Sequence, residues 1–114
     1  MVDVRYPVHC KLDEINALLN KVGAFEVVES KAPLYADKNG ELCKTLNAVY
    51  EKHTGLKAVS QTTGGGTYAR ALKHGVAFGP VFDGGAVCHI PNEKYKKSHL
   101  EKSYYIYKDA IKFL

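Results

Sequence analysis

The chain has 114 residues, 46% of them hydrophobic and 25% charged, with a formal net charge of +4. That is ordinary for one globular domain with a modest core, and the lysines are scattered (Lys94, Lys96 and Lys97 form the densest group), which argues against a nucleic-acid surface. No apolar run approaches the ~18–20 residues of a membrane span, the N-terminus lacks a signal-peptide layout, and Cys10, Cys43 and Cys88 fit neither a disulfide framework nor a zinc knuckle, so the chain reads as reduced, cytoplasmic and away from membranes.

Residues 2–8 alternate apolar and polar side chains, the pattern of a half-buried strand, with Pro7 marking its end or a sheet edge. Leu12, Ile15, Leu18, Leu19 and Val22 recur at three- and four-residue spacing, which predicts an amphipathic helix stopping at Gly23. Residues 24–30 are rich in valine and read as a second strand. Strand, helix and strand together make a split βαβ unit, so the expected fold class is α/β. Pro33 and the Asn39-Gly40 pair punctuate a change of direction, read as a domain crossover.

Beyond it, Leu42, Leu46, Val49 and Tyr50 give the buried stripe of a second helix that Gly55 should end. Short strands are expected at residues 56–60 and 75–80. Ser98 and Glu101 have capping-box spacing, so the last helix should start there, with Leu100, Tyr104, Tyr107, Ile111 and Leu114 facing the core.

Two stretches between these elements have chemical potential. Gly64, Gly65 and Gly66 before Thr67 let a ligand approach the backbone, and successive N–H groups there suit an anion. The spacing is not that of a P-loop, since no Lys-Ser/Thr pair follows. The second stretch, Cys88-His89-Ile90-Pro91-Asn92-Glu93, follows the glycine-rich Asp83-Gly84-Gly85. A loop histidine held by a proline suits a metal ligand, because neutral imidazole is a common zinc donor. Cys88 has no evident base and is not read as a nucleophile. Arg5, mid-strand, carries a guanidinium fork that matches a carboxylate. His9, His53, His74 and His99 share no ligand spacing and read as surface or capping residues.

Taken in order, Val4-Arg5-Tyr6-Pro7, Thr63-Gly64-Gly65-Gly66-Thr67-Tyr68-Ala69-Arg70, Gly75-Val76-Ala77-Phe78-Gly79-Pro80 and His89-Ile90-Pro91-Asn92-Glu93 resemble the C-terminal part of the PepV-type dipeptidases. These belong to a dinuclear-zinc superfamily that also holds carnosinase, aminoacylase and carboxypeptidase G. The resemblance covers essentially the whole chain. It implies that residues 1–36 are the last βαβ piece of a lid domain and residues 37–114 the closing segment of an α/β catalytic domain.

By the same resemblance, His89 matches a zinc ligand and Arg5 the lid arginine that grips the substrate's C-terminal carboxylate. Gly64, Gly65, Gly66 and Thr67 match the loop binding that same end, and Asn92 and Glu93 match groups supporting the ligand loop. Ile90 departs from the family's usual residue between histidine and proline. The implied reaction is hydrolysis of a dipeptide assisted by two zinc ions. The other metal ligands, the general base and the lid histidine would lie outside this chain. A catalytic zinc needs about three protein ligands, so the chain is expected to be a fragment, with no catalytic residue of its own and inactive alone.

The residues leave two other readings open: a stand-alone module binding an anionic metabolite at residues 64–67, or a structural unit without catalysis. An incomplete lid would expose a helix face and a sheet edge. A homodimer or domain swap through residues 2–8 or 24–30 is therefore expected.

Overall fold

Helices form where the apolar spacing is densest. The computed structural model describes residues 1–79, 82 and 90–114. Among these, α1 spans Leu12–Asn20, α2 Glu41–Thr54 and α3 Lys97–Phe113, and a 3-10 turn covers Tyr68–Ala71. None of the described helices is long and apolar enough to cross a membrane.

The helix ends follow from local chemistry. A turn at Asp37, whose side chain accepts from the Asn39 N–H at 2.9 Å, delivers Gly40 as the residue before α2. Gly55 ends α2 in the left-handed region at φ 70°, its N–H donating to the Glu51 carbonyl. An L-residue with a Cβ would be strained there. At α1, the Glu14 carboxylate accepts from the Lys11 N–H at 3.4 Å. The reciprocal half of a capping box is missing, because a lysine ammonium has nothing to accept with.

The core lies between α2 and α3. Leu46, Val49, Phe82, Ile106 and Ala110 are buried together, with Leu42, Val76 and Phe78 packed against them and Ile106 fully enclosed. Cys43 is also buried. Ser103 satisfies its buried hydroxyl by donating to the His99 carbonyl at 2.7 Å while the Tyr95 hydroxyl, also at 2.7 Å, donates to it. The His99 ring lies 4.5 Å from the Phe82 ring, centroid to centroid.

Two expectations for α3 need correction. The helix begins at Lys97 with Lys96 before it and no side-chain cap, so the Ser98–Glu101 box does not form. Its buried face is Ser103, Ile106 and Ala110, whereas Leu100, Tyr104, Ile111 and Leu114 are more than half exposed. Small side chains at 103 and 110 bring the backbones of α2 and α3 close around Ile106. Tyr104 stays mostly exposed, and Tyr107 is less so.

The α/β expectation is overturned. The described residues contain no strand and no sheet, and residues 2–8, 24–30, 56–60 and 75–79 carry no ladder. Alternation specifies which face a strand would bury but supplies no partner, and a strand exists only when another segment completes its hydrogen bonds. Val2 and Val28 are accordingly 81% and 86% exposed. Among the described residues α1 packs on no other helix, and the radius of gyration is 17.9 Å. A compact chain of this length would have about 13 Å. The α2–α3 pair is therefore the packed part of the molecule.

Candidate functional site

The chain segment 63–67 is shaped by its two threonines. Thr63 Oγ1 accepts from the Gly65 N–H at 3.2 Å, and Thr67 Oγ1 accepts from the Ala69 N–H at 3.1 Å. Short side-chain-to-backbone bonds of this kind fold a polar loop without a sheet. Among the described residues, no acceptor is paired with the N–H groups of Gly64, Gly66 or Thr67. A Cβ on Gly66 would meet nothing within 4 Å, so the chain's own atoms do not require glycine there.

Arg5, 59 positions away in sequence, reaches this loop. Its Nη1 donates to the Gly64 carbonyl, while Nε and Nη2 donate to one oxygen of Asp3 at 3.1 and 3.0 Å. The pair is exposed, with 61% of the Arg5 side chain and 73% of the Asp3 side chain open to water. Three of the five guanidinium donors are engaged, and two remain for a ligand. The sequence reading missed Asp3, whose signal was an acid two residues before the arginine on a non-helical segment.

It also missed Arg70, although the residue lay inside the glycine-rich motif. Arg70 Nη2 donates to the Ala32 carbonyl at 2.7 Å. Two arginine-to-carbonyl bonds therefore tie residues before position 36 to the loop and turn at 64–70.

Beside Thr67 the surface sinks into an open hollow of about 510 Å³, lined by Thr67 to Ala69, Leu72 and Val76 to Phe78. Gly75 is buried below it. A Cβ there would lie 2.8 Å from both the Ala69 carbonyl oxygen and the Leu72 Cβ, so glycine is required for the 3-10 turn to approach residues 75–78 this closely. The far wall is fixed to the core. Phe78 meets Tyr107 edge-on at 5.9 Å, and the Tyr107 hydroxyl donates to the Phe78 carbonyl at 3.2 Å. Burial, with a smaller contribution from Tyr95, raises the Tyr107 pKa.

His89, the expected zinc ligand, lies outside the described residues, as do Cys88 and the Asp83–Gly85 approach. Asn92 is exposed and adopts φ 61°, a left-handed conformation that asparagine tolerates better than most residues. Glu93 follows it, also exposed. The structure thus joins Arg5 to Gly64 and leaves Asn92 in a separate turn. Among the described residues, no three His, Cys, Asp or Glu side chains are grouped so as to hold a metal ion. They do not by themselves fit a zinc centre.

The strongest charged cluster is elsewhere. Lys52 Nζ and His53 Nε2 each lie 2.8 Å from Asp109 Oδ2, joining the last turns of α2 and α3. The carboxylate can only accept, so His53 Nε2 carries the proton. The Lys52 hydrogen bond, followed by that of His53, lowers the Asp109 pKa to about 2.

Sequence comparison agrees with the order of the motifs. The family model described as Peptidase family M20/M25/M40 matches residues 6–112. The Bacillus subtilis (strain 168) protein named "Putative dipeptidase YtjP" is 39% identical over 113 residues, covering 96% of this chain and 24% of its own length. Relatives from Staphylococcus epidermidis and Staphylococcus haemolyticus, carrying the same dipeptidase designation, are 38% and 34% identical, each over 96% of this chain and 25% of their own length. The chain thus spans about a quarter of the curated relatives it matches. No solved structure matches it significantly. With nearly its whole length matched by one family model and by these relatives, the chain belongs to peptidase family M20/M25/M40.

Proposed function

We propose that this chain supplies the substrate-carboxylate end of a zinc dipeptidase. Arg5 and the N–H groups at Gly66 and Thr67 would hold the C-terminal carboxylate of the peptide. The observation that carries this reading is the bond from Arg5 to the Gly64 carbonyl, which sets a guanidinium beside a loop with N–H groups to offer. Arg5 is oriented by Asp3, and its two remaining donors can take a carboxylate side by side. Holding the peptide's end in this way orients the scissile bond, and orientation is the chain's contribution to the reaction.

The relatives' dipeptidase names support a dipeptide as substrate, and the family supports metal-dependent hydrolysis. His89 would be one of several ligands to a pair of zinc ions. Asn92 and Glu93 would steady its loop, and residues 1–36 and 37–114 would belong to the lid and the catalytic domain. The 114-residue chain by itself is expected to hydrolyse no dipeptide and to bind zinc below one equivalent. Hydrolysis by the purified chain would overturn that expectation.

The carboxylate reading is tested by titrating the ¹⁵N-labelled chain with alanyl-leucine and with alanyl-leucinamide. The acid should shift the amide signals of residues 64–67 and the amide should not. Arg5→Ala should weaken acid binding about 10-fold, the scale of one charge-assisted hydrogen bond. Equal binding of acid and amide would sink the reading. Nucleotide binding that survives Arg5→Ala would favour the anion-module alternative.

A further inference from the structure

We propose that His99 is a positioning residue: its ring meets a ring from each side of the His89-Ile90-Pro91-Asn92-Glu93 motif and so fixes the turn at Asn92 and Glu93. From the proposed function this takes only the task given to that turn, steadying the His89 loop. By spacing alone His99 reads as a surface or capping residue. In the folded chain it is half-buried in the first turn of α3, and its N–H donates to the Lys96 carbonyl at 2.9 Å.

Two rings reach His99 from outside the helix. Phe82, before the motif in sequence, lies 4.5 Å from the His99 ring, centroid to centroid, and Tyr95, after the motif, meets it edge-on at 5.9 Å. Phe82 belongs to the buried core, so that side is fixed to α2 and α3. On the other side the Tyr95 hydroxyl bonds Ser103, one turn after His99, at 2.7 Å. Ser103 is only 7% exposed and already donates to the His99 carbonyl, so its oxygen has only acceptor capacity left, and Tyr95 supplies the donor. One turn of α3 therefore receives chain from both sides of the motif. A stretch tied on both sides to one place has fewer conformations open to it.

The segment leading to Tyr95 needs such a tie. Residues 90–95 are all exposed and belong to no helix, so neither burial nor a helical ladder holds them. Asn92 nevertheless keeps φ 61°, a conformation that costs energy for any residue other than glycine. A turn of that kind persists when the chain around it is fixed, and Tyr95 lies only three positions further on. Both contacts of His99 are between rings, so phenylalanine at position 99 would keep them and alanine would not. Tyr95→Phe would keep the ring contact and remove the bond to Ser103, whose hydroxyl stays satisfied by the His99 carbonyl.

The test is ¹⁵N relaxation of the labelled 114-residue chain, with neither metal nor peptide present. Backbone order parameters of residues 92–95 should lie near the rigid value of about 0.85, with a strong amide-to-Hα cross-peak within Asn92 that reports its positive φ. His99→Ala should drop those order parameters below about 0.6 and weaken the cross-peak, and His99→Phe should restore both. Tyr95→Phe should loosen residues 92–95 while the signals of α2 and α3 stay in place. A His99→Ala chain that loses stability in urea but keeps its order at 92–95 would show that His99 only covers Phe82, and the tie is overturned. If His99→Ala does not fold, Tyr95→Phe decides, and unchanged order in that variant overturns the tie. Failure of His99→Phe to restore what alanine loses, or wild-type values already below about 0.6, overturns it as well. Because no metal or peptide enters the measurement, these outcomes leave the dipeptidase reading standing, and that reading fails separately in the titration with alanyl-leucine and its amide.

Discussion

Asp109 receives two cationic or hydrogen-bonding groups on one oxygen, from consecutive residues at the end of α2. Its pKa is lowered from the ordinary 3.8 to about 2. A carboxyl group with a lowered folded-state pKa adds stability that is fully present above its unfolded value and is lost as pH falls through the folded one. The link between the ends of α2 and α3 should therefore weaken between about pH 4 and pH 2. Thermal unfolding followed by circular dichroism across that window should show a falling midpoint, and Asp109→Asn should flatten this dependence. A wild-type slope unchanged by the substitution would assign the acid sensitivity to other carboxylates. The Arg5–Asp3 pair is a contrast at the same scale. Both side chains face water, so its worth is in orienting a guanidinium rather than in stability.

At the scale of the element, α3 decides which side chains make the core. Ile106 is fully buried between α2 and α3, whereas Ile111 on the same helix is 78% exposed. Ile106→Ala should cost about 2–5 kcal/mol, a large share of the stability of so small a core. Ile111→Ala should stay within about 0.5 kcal/mol. Urea unfolding of the two variants checks this, and similar losses in both would mean that the packed face has been misassigned. The sequence stripe of Leu100, Tyr104, Tyr107, Ile111 and Leu114 was spaced correctly for a helix but lay on the wrong face. Spacing shows that a face is apolar, but in α3 two faces are, and Ser103 and Ala110 carry no hydrophobic signal. The choice came from how closely two helices can approach. The site was legible to a similar degree. Gly64–Thr67 and Arg5 stood out by residue type, but nothing in their spacing required contact between positions 5 and 64.

For the molecule as a whole, apolar surface is left over. Leu18, Val22, Val27 and Val28 on and after α1 are 49% to 89% exposed, a run that isolated domains usually cover. We therefore expect self-association through residues 2–8, α1 or residues 24–30, seen as a mass above the monomer by light scattering and rising with concentration. Val22→Glu with Val28→Glu should return it to monomer. A monomer at all concentrations would count against this interface. The sequence by itself determined that helices would form near residues 12–22 and 42–54, that Gly55 would end one of them, and that the order of motifs is that of an M20 peptidase. These are properties of short stretches and of residue order. Only the tertiary structure decided that the valine-rich segments stay unpaired, that α3 turns Ile106 inward, and that Arg5 meets Gly64. Strand pairing, helix facing and long-range hydrogen bonds each need a partner distant in sequence, and no local pattern of residues specifies which partner the folded chain provides.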